Sequence, residues 1–368
     1  MIKNVETIES DSLVGVGHPR TTEKLFGHFD EYQTFAENFR TGNIHHAWLI
    51  IGPQGIGKAT LAWKLVNLIL EENREFQNLG KATNSAVAKQ IAALSAPGLF
   101  LCRRQFDEKL KRVKKQISIN EIRKMKSFFN FSETEKGWKV AIIDSADELS
   151  ISASNALLKL IEEPPRKTIF LLICHQFSKI LPTVRSRCRL MRLKPITNEE
   201  LCEALTVNGF DPQRLEPENL KTLYFLCKGS VGSAIHLLQR DGVSILLTYL
   251  DIIAGYPNMD RSRILSFADK VTEHPDGFFF LTNIIKLAIY RIGLIFAGRE
   301  VQFYNKCEKS VFERFNKQKN IALLWAEIFF EFEKSFSNCA LLNLDPKLEI
   351  INSFVKLEKK LKENAFSR

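Results

Sequence analysis

Ala47-Trp48-Leu49-Ile50-Ile51-Gly52-Pro53-Gln54-Gly55-Ile56-Gly57-Lys58-Ala59-Thr60 is the stretch that decides the fold. Its first five residues form an apolar run of strand length, as expected of a strand buried on both faces. The run empties into Gly52, Gly55, Gly57 and Lys58, spaced as in the phosphate-loop pattern G-x-x-x-x-G-K-[ST]. Behind it Leu61, Leu65, Leu68 and Ile69 recur at helical spacing. Strand, loop and amphipathic helix thus follow in the order that the motif needs. The glycines free backbone N–H groups to turn inward on phosphates at the positive end of a helix, and Lys58 supplies a cation for the outer ones.

The pattern then breaks twice. Ala59 stands where a Ser or Thr hydroxyl would hold magnesium, and Thr60 comes one place late, which on a helix turns it about 100° away. Downstream, Val140-Ala141-Ile142-Ile143 ends in Asp144, as a strand carrying a metal-binding aspartate should, yet Ser145 follows where an ATPase places its catalytic glutamate. A serine hydroxyl is barely basic at neutral pH and does not polarise water. Asp147 and Glu148 lie past the strand end and are expected to face solvent. The expectation is a loop that retains its shape, holds ATP or ADP weakly if it holds them, requires no cofactor, and does not hydrolyse.

At 368 residues the chain calls for two or three domains, and 45% apolar with 26% charged residues marks it as globular. A net charge of +10 fits work near a polyanion and equally fits plain solubility. No apolar run has the length of a membrane span, and the start Met1–Ser12 is unlike a signal peptide. Seven scattered cysteines with no C-x-x-C pair argue against zinc and disulfides and for a reducing cytoplasm.

Residues 1–22 read as a polar leader and 23–194 as an α/β domain with a parallel sheet, strands being placed at Ala47–Ile51, Val140–Ile143 and Ile169–Cys174. Residues 195–241 read as a small helical domain. It opens on a capping box, Thr197 with Glu200, and is interrupted at Gly229-Ser230-Val231-Gly232. Residues 242–368 read as all-helical, with phenylalanine clusters such as Phe278-Phe279-Phe280 as core.

Asn155-Ala156-Leu157-Leu158-Lys159, Glu162-Glu163-Pro164-Pro165 and Leu181-Pro182-Thr183-Val184-Arg185-Ser186-Arg187-Cys188 together resemble the AAA+ clamp-loader family. Leu25-Phe26-Gly27-His28, His45-His46 before the first strand, the altered loop and Asp144-Ser145-Ala146-Asp147 bring the resemblance closer. They are similar to the delta-prime branch of bacterial DNA polymerase III, in its alphaproteobacterial form. The likeness runs from about Leu25 to Cys188, weakens after that, and returns at Leu342-Asn343-Leu344-Asp345-Pro346-Lys347.

The resemblance implies a nucleotide-binding core, a lid, and a collar that holds a five-subunit ring together. It implies a stator role beside the delta and gamma/tau subunits, in a complex that loads the sliding clamp on primed DNA. It also implies that Arg187 acts in trans as an arginine finger on a neighbour's ATP. A lone arginine would instead be read as a surface salt bridge, and Arg185 is read as scaffold or as a phosphate contact.

Many members of the family it resembles carry a four-cysteine zinc module where this chain has only Cys102, so no zinc or other metal is expected. The polar sensor after the third strand falls near His175 or Gln176, and the lid arginine position is Gly232. The basic stretch Arg103–Lys126, with Arg112, Lys114, Lys115 and Lys124 among its ten cations, admits DNA phosphate contact, a partner surface, or the solvated face of a helix from Asn120. Two other functions compete. An active gamma/tau-like ATPase requires that Ala59 and Ser145 be tolerated, and a small-metabolite kinase gives the collar and the Ser-Arg-Cys string no place.

Overall fold

The computed structural model describes residues 16–71, 85–107, 109, 112–131, 137–273, 277–299, 302–318 and 320–366. Most of the expected polar leader lies outside them. The chain divides into two compact units: the described residues up to Phe210 with Gly229–Ser233, and Asp211–Lys228 with those from Ala234 onward.

In the first unit the elements are α1 (Phe29–Arg40), β1 (Ala47–Ile51), α2 (Lys58–Leu70), α3 (Ala86–Ala92), β2 (Leu99–Arg103), β3 (Phe106–Asp107), β4 (Arg112–Val113), α4 (Ile119–Phe131), β5 (Lys139–Asp144), α5 (Ile151–Glu162), β6 (Thr168–Cys174), α6 (Pro182–Arg185), β7 (Arg189–Arg192) and α7 (Asn198–Val207). Five strands form one parallel sheet in the order β2-β5-β6-β1-β7, and β3 with β4 makes a separate antiparallel hairpin. The sheet is parallel because helical segments carry the chain back between strands.

The strict alternation of a strand sorts its residues between two cores. Ala47, Leu49 and Ile51 face one side with Ala141, Ile143, Phe170 and Leu172, and pack on Met125 and Phe129 of α4 and Leu157 and Ile161 of α5. Trp48 and Ile50 face the other with Ile142, Leu171 and Ile173, against Phe35 of α1 and Leu61, Leu65 and Ile69 of α2. Each such buried side chain contributes roughly 1.5–3 kcal/mol, and truncating Leu65 to Ala would cost about 2–5 kcal/mol.

The register decides where chemistry can gather. Ile51 lies opposite Cys174, and Asp144 opposite Ile173. The ends of β1, β5 and β6 therefore deliver Gly52, Ser145 and His175 to one edge. The chain leaves β1, next to the β7 edge, for the far edge strand β2 and works back, so this is the crevice at carboxyl strand ends where α/β sheets bind ligands.

Helix α7 opens on the expected capping box: the Thr197 N–H donates to Glu200 Oε2 at 2.9 Å, and the Glu200 N–H to Thr197 Oγ1 at 3.3 Å. The second unit is helical throughout its described residues: α8 (Pro217–Cys227), most of α9 (Val231–Gln239), α10 (Gly242–Ala254), α11 (Arg261–Thr272), α12 (Gly277–Phe296), α13 (Lys306–Phe315), α14 (Ile321–Leu342) and α15 (Pro346–Phe366). Its one deeply buried ion pair, among described residues, joins Arg291 to Glu308, with the guanidinium between the rings of Phe225 and Tyr304. No helix among the described residues is long and apolar enough to cross a membrane.

Candidate functional site

Gly55 and Gly57 adopt φ of +76° and +102°, a region that penalises any side chain, and this is what lets the loop after β1 curl into the start of α2. His28 holds it from beneath: its buried ring bonds the Ile56 carbonyl through Nε2 at 2.8 Å. The residue lies in the string Leu25–His28, but nothing in that string announces the role.

The loop's polar groups are turned inward. Lys58, only 3% exposed as a residue, donates from its ammonium to the carbonyls of Gly52 at 2.7 Å and Pro53 at 2.6 Å. Burial pushes its pKa down to about 8, against the opposing pull of Asp144. From above, the Ser230 hydroxyl donates to the Gln54 carbonyl at 2.9 Å, and the Gly232 N–H to the Gly55 carbonyl at 3.0 Å. A Cβ on Gly55 would lie 2.5 Å from Ser230 Oγ and 3.1 Å from the Gly232 Cα. Gly232, expected in place of a lid arginine, thus contacts the loop backbone itself. Ala59 offers no oxygen to a metal ion, and Thr60 follows it on α2. The residue set does not match what a magnesium nucleotide needs.

Beside the loop, Ser145 is buried at the end of β5. Its hydroxyl donates to Asp144 Oδ1 at 3.0 Å and shares a 2.9 Å bond with His175 Nε2. Serine has one proton and it goes to Asp144, so His175 is the donor in the second bond. That assigns the neutral Nε2–H tautomer and leaves the buried Nδ1 lone pair without a hydrogen-bond partner. Burial, and then the Lys58 charge, push the His175 pKa down to about 4. With Nε2 protonated and donating, His175 takes no proton from Ser145.

Asp147 and Glu148 correct an expectation. They do not face open solvent: Asp147 accepts from the His175 N–H at 2.9 Å and the Gln176 N–H at 3.1 Å, and Glu148 pairs with Arg104 Nε at 2.7 Å. The strand end curls back over them, which its apolar pattern does not reveal.

A different picture holds at the end of α5. Arg187 is 40% exposed. Its Nε pairs with Glu162 Oε1 at 2.9 Å, and its Nη1 donates to the Thr183 carbonyl at 3.0 Å. Arg185 is scaffold, bonded to the carbonyls of Ile180 and Ser178 and stacked 4.5 Å over Phe177.

The matching family model, described as DNA polymerase III, delta subunit, covers residues 27–197, which hold all of these groups except Ser230 and Gly232. The DNA polymerase III subunit delta' of Pseudomonas aeruginosa is 34% identical over 143 residues, 39% of this chain and 41% of that one. Over residues 27–197 the chain is thus similar to clamp-loader subunits of DNA polymerase III.

The DNA polymerase III subunit gamma of Buchnera aphidicola subsp. Schizaphis graminum is 28% identical over 67% of each chain. The chain therefore spans two fifths to two thirds of these relatives' lengths. Among solved structures, a DNA polymerase III gamma subunit-related protein of Thermotoga maritima covers 89% of this chain and 99% of its own, with a TM-score of 0.42 at 17% identity.

The remaining candidates are spread out. Arg112, Lys114 and Lys115 are exposed on and after the β3–β4 hairpin, whereas Lys124 on α4 is paired with Glu121 at 2.8 Å. Cys102 is buried in β2 with its thiol pushed up to about 12 by desolvation. No group of three or more metal-ligating side chains occurs among the described residues.

Proposed function

We propose that this chain is a non-hydrolysing stator of the DNA polymerase III clamp loader. In this reading it sits in a five-subunit ring beside the delta subunit and a gamma/tau ATPase and helps load the sliding clamp on primed DNA in the cytoplasm. Residues 23–194 are the AAA+ core, 195–241 the lid and 242–368 the collar. Neither nucleotide nor zinc is required, and Arg187 is given to the neighbour's ATP.

The observation that carries the reading is the Lys58 ammonium, bound to the carbonyls of its own loop at 2.7 and 2.6 Å. A cation satisfied in this way contributes nothing to a phosphate until both bonds break. The exposed Arg187 supports the second half, because an arginine beside a neighbour's triphosphate neutralises charge developing in phosphoryl transfer.

The test is ATP turnover by the purified chain with primed DNA, against Lys58→Ala. Turnover no higher than that of the variant is expected. Turnover that the variant abolishes would establish the second reading, an active gamma/tau-like ATPase, which the longer alignment with a gamma subunit favours.

A further inference from the structure

Glu162 is the last residue of α5, at the end where a helix presents its negative pole. A carboxylate is a poor choice there on local grounds. An exposed ion pair, with the two side chains 40% and 45% accessible, also contributes little to stability. What the pair does accomplish is geometric. Glu162 takes the Nε edge of Arg187 at 2.9 Å, and the Thr183 carbonyl takes Nη1 at 3.0 Å, with Ser186 Oγ 3.3 Å from the same nitrogen. The Arg187 N–H is itself held by the Val184 carbonyl at 3.2 Å. Two nitrogens of a planar fork are thereby fixed from two elements, α5 and α6, and the third, Nη2, is left to meet an anion from outside.

We infer that Glu162 is a positioning residue for Arg187: it sets the plane of the guanidinium that a neighbour's nucleoside triphosphate meets. This rests on the arginine-donor reading above. Glu163, next along, is exposed and makes no such contact, so position 162 alone has the role.

The experiment compares Glu162→Ala, Glu162→Gln, Arg187→Ala and the double variant in the reconstituted complex, reading kcat and KM for ATP separately. Glutamine keeps an oxygen for Nε and is expected to stay near wild type. Alanine is expected to lower kcat about two- to fivefold with KM unchanged, the span that an exposed pair can supply. The double variant should fall no lower than Arg187→Ala, since both act through one group.

In the isolated chain, the side-chain Nε–H NMR signal of Arg187 should be more ordered in wild type and Glu162→Gln than in Glu162→Ala. A wild-type kcat for Glu162→Ala alongside a slow Arg187→Ala overturns this inference and leaves the arginine-donor reading standing. A wild-type kcat for Arg187→Ala removes both. An Nε–H equally mobile in all three chains shows that the pair does not form.

Discussion

Lys58 and Arg187 are both cations beside carboxylates in the α/β unit, and the fold treats them in opposite ways. Lys58 is 3% exposed and bound to two carbonyls of its own loop, while Arg187 keeps 40% of its side chain in solvent and one nitrogen uncommitted. Around Lys58 the neighbours are also spent: Ser145 on Asp144 and His175, Asp147 on two backbone N–H groups, Gly55 on Gly232. Desolvation explains the difference. A buried cation must be satisfied internally or neutralised, whereas a half-exposed one stays charged at little cost and remains available to an outside anion.

The largest effect that could break this contrast belongs to Arg187. If it acts as the proposed arginine donor, replacing it with Ala is expected to slow hydrolysis about a thousandfold at the neighbouring site. The stability of the isolated chain should move by less than about 0.5 kcal/mol, since the pair is exposed. Single-turnover hydrolysis in the assembled complex, with urea unfolding of the chain alone, checks both halves. A full rate would place Arg187 in the same category as Lys58, a cation with internal duties.

Strands buried on both faces were legible as apolar runs, and β1, β5 and β6 lie within a residue of where Ala47–Ile51, Val140–Ile143 and Ile169–Cys174 place them. Edge strands were not. In β7, Arg-Leu-Met-Arg at 189–192, only Met191 is buried, so there is no run to read. In β2 a single fully buried residue, Cys102, precedes the basic stretch. The altered phosphate loop was legible because its motif is local. The engagement of His175 with Ser145, thirty positions apart, was not, nor was the seating of Ser230 on Gln54 across 176 positions. Both depend on register and on chain return, which only the folded sheet supplies.

The inward network around Ser145 should show itself in acid. His175 has a folded pKa near 4 against 6.5, so the unfolded chain binds the proton first as pH falls, and stability is lost from pH 6.5 down to 4. Between pH 7 and 4.5 the wild type should lose about 2–3 kcal/mol more than His175→Gln in urea unfolding. Equal losses would mean that His175 is solvated and that the pocket is open.

Lys58 has the same sign at the other end of the scale. Its folded pKa is about 8 against 10.5, so the charged form is disfavoured in the fold. The destabilisation is fully present below pH 8 and is relieved as pH rises from 8 to 10.5, where the unfolded chain binds more protons. From pH 7.5 to 9.5 the wild type should gain about 2 kcal/mol relative to Lys58→Met. A flat difference would mean that Lys58 reaches water and is free to meet a phosphate.

The smallest expected effect is the sharpest test of whether the loop's internal contacts keep nucleotide out. Ala59→Ser restores a hydroxyl where magnesium would be held. If the missing hydroxyl alone kept ATP out, calorimetry would detect magnesium-dependent ATP binding by this variant. None is expected, because the serine supplies one oxygen while Lys58 stays on the carbonyls of Gly52 and Pro53, and Ser230 and Gly232 stay on those of Gln54 and Gly55. Breaking those contacts would cost about 0.5–1.5 kcal/mol for each neutral bond and about 1.5–3 kcal/mol for each bond to the charged lysine, before any phosphate is gained. Binding that appears with this one substitution would show the contacts to be readily exchanged, and would make the missing hydroxyl at Ala59 the reason that the natural loop does not hold ATP.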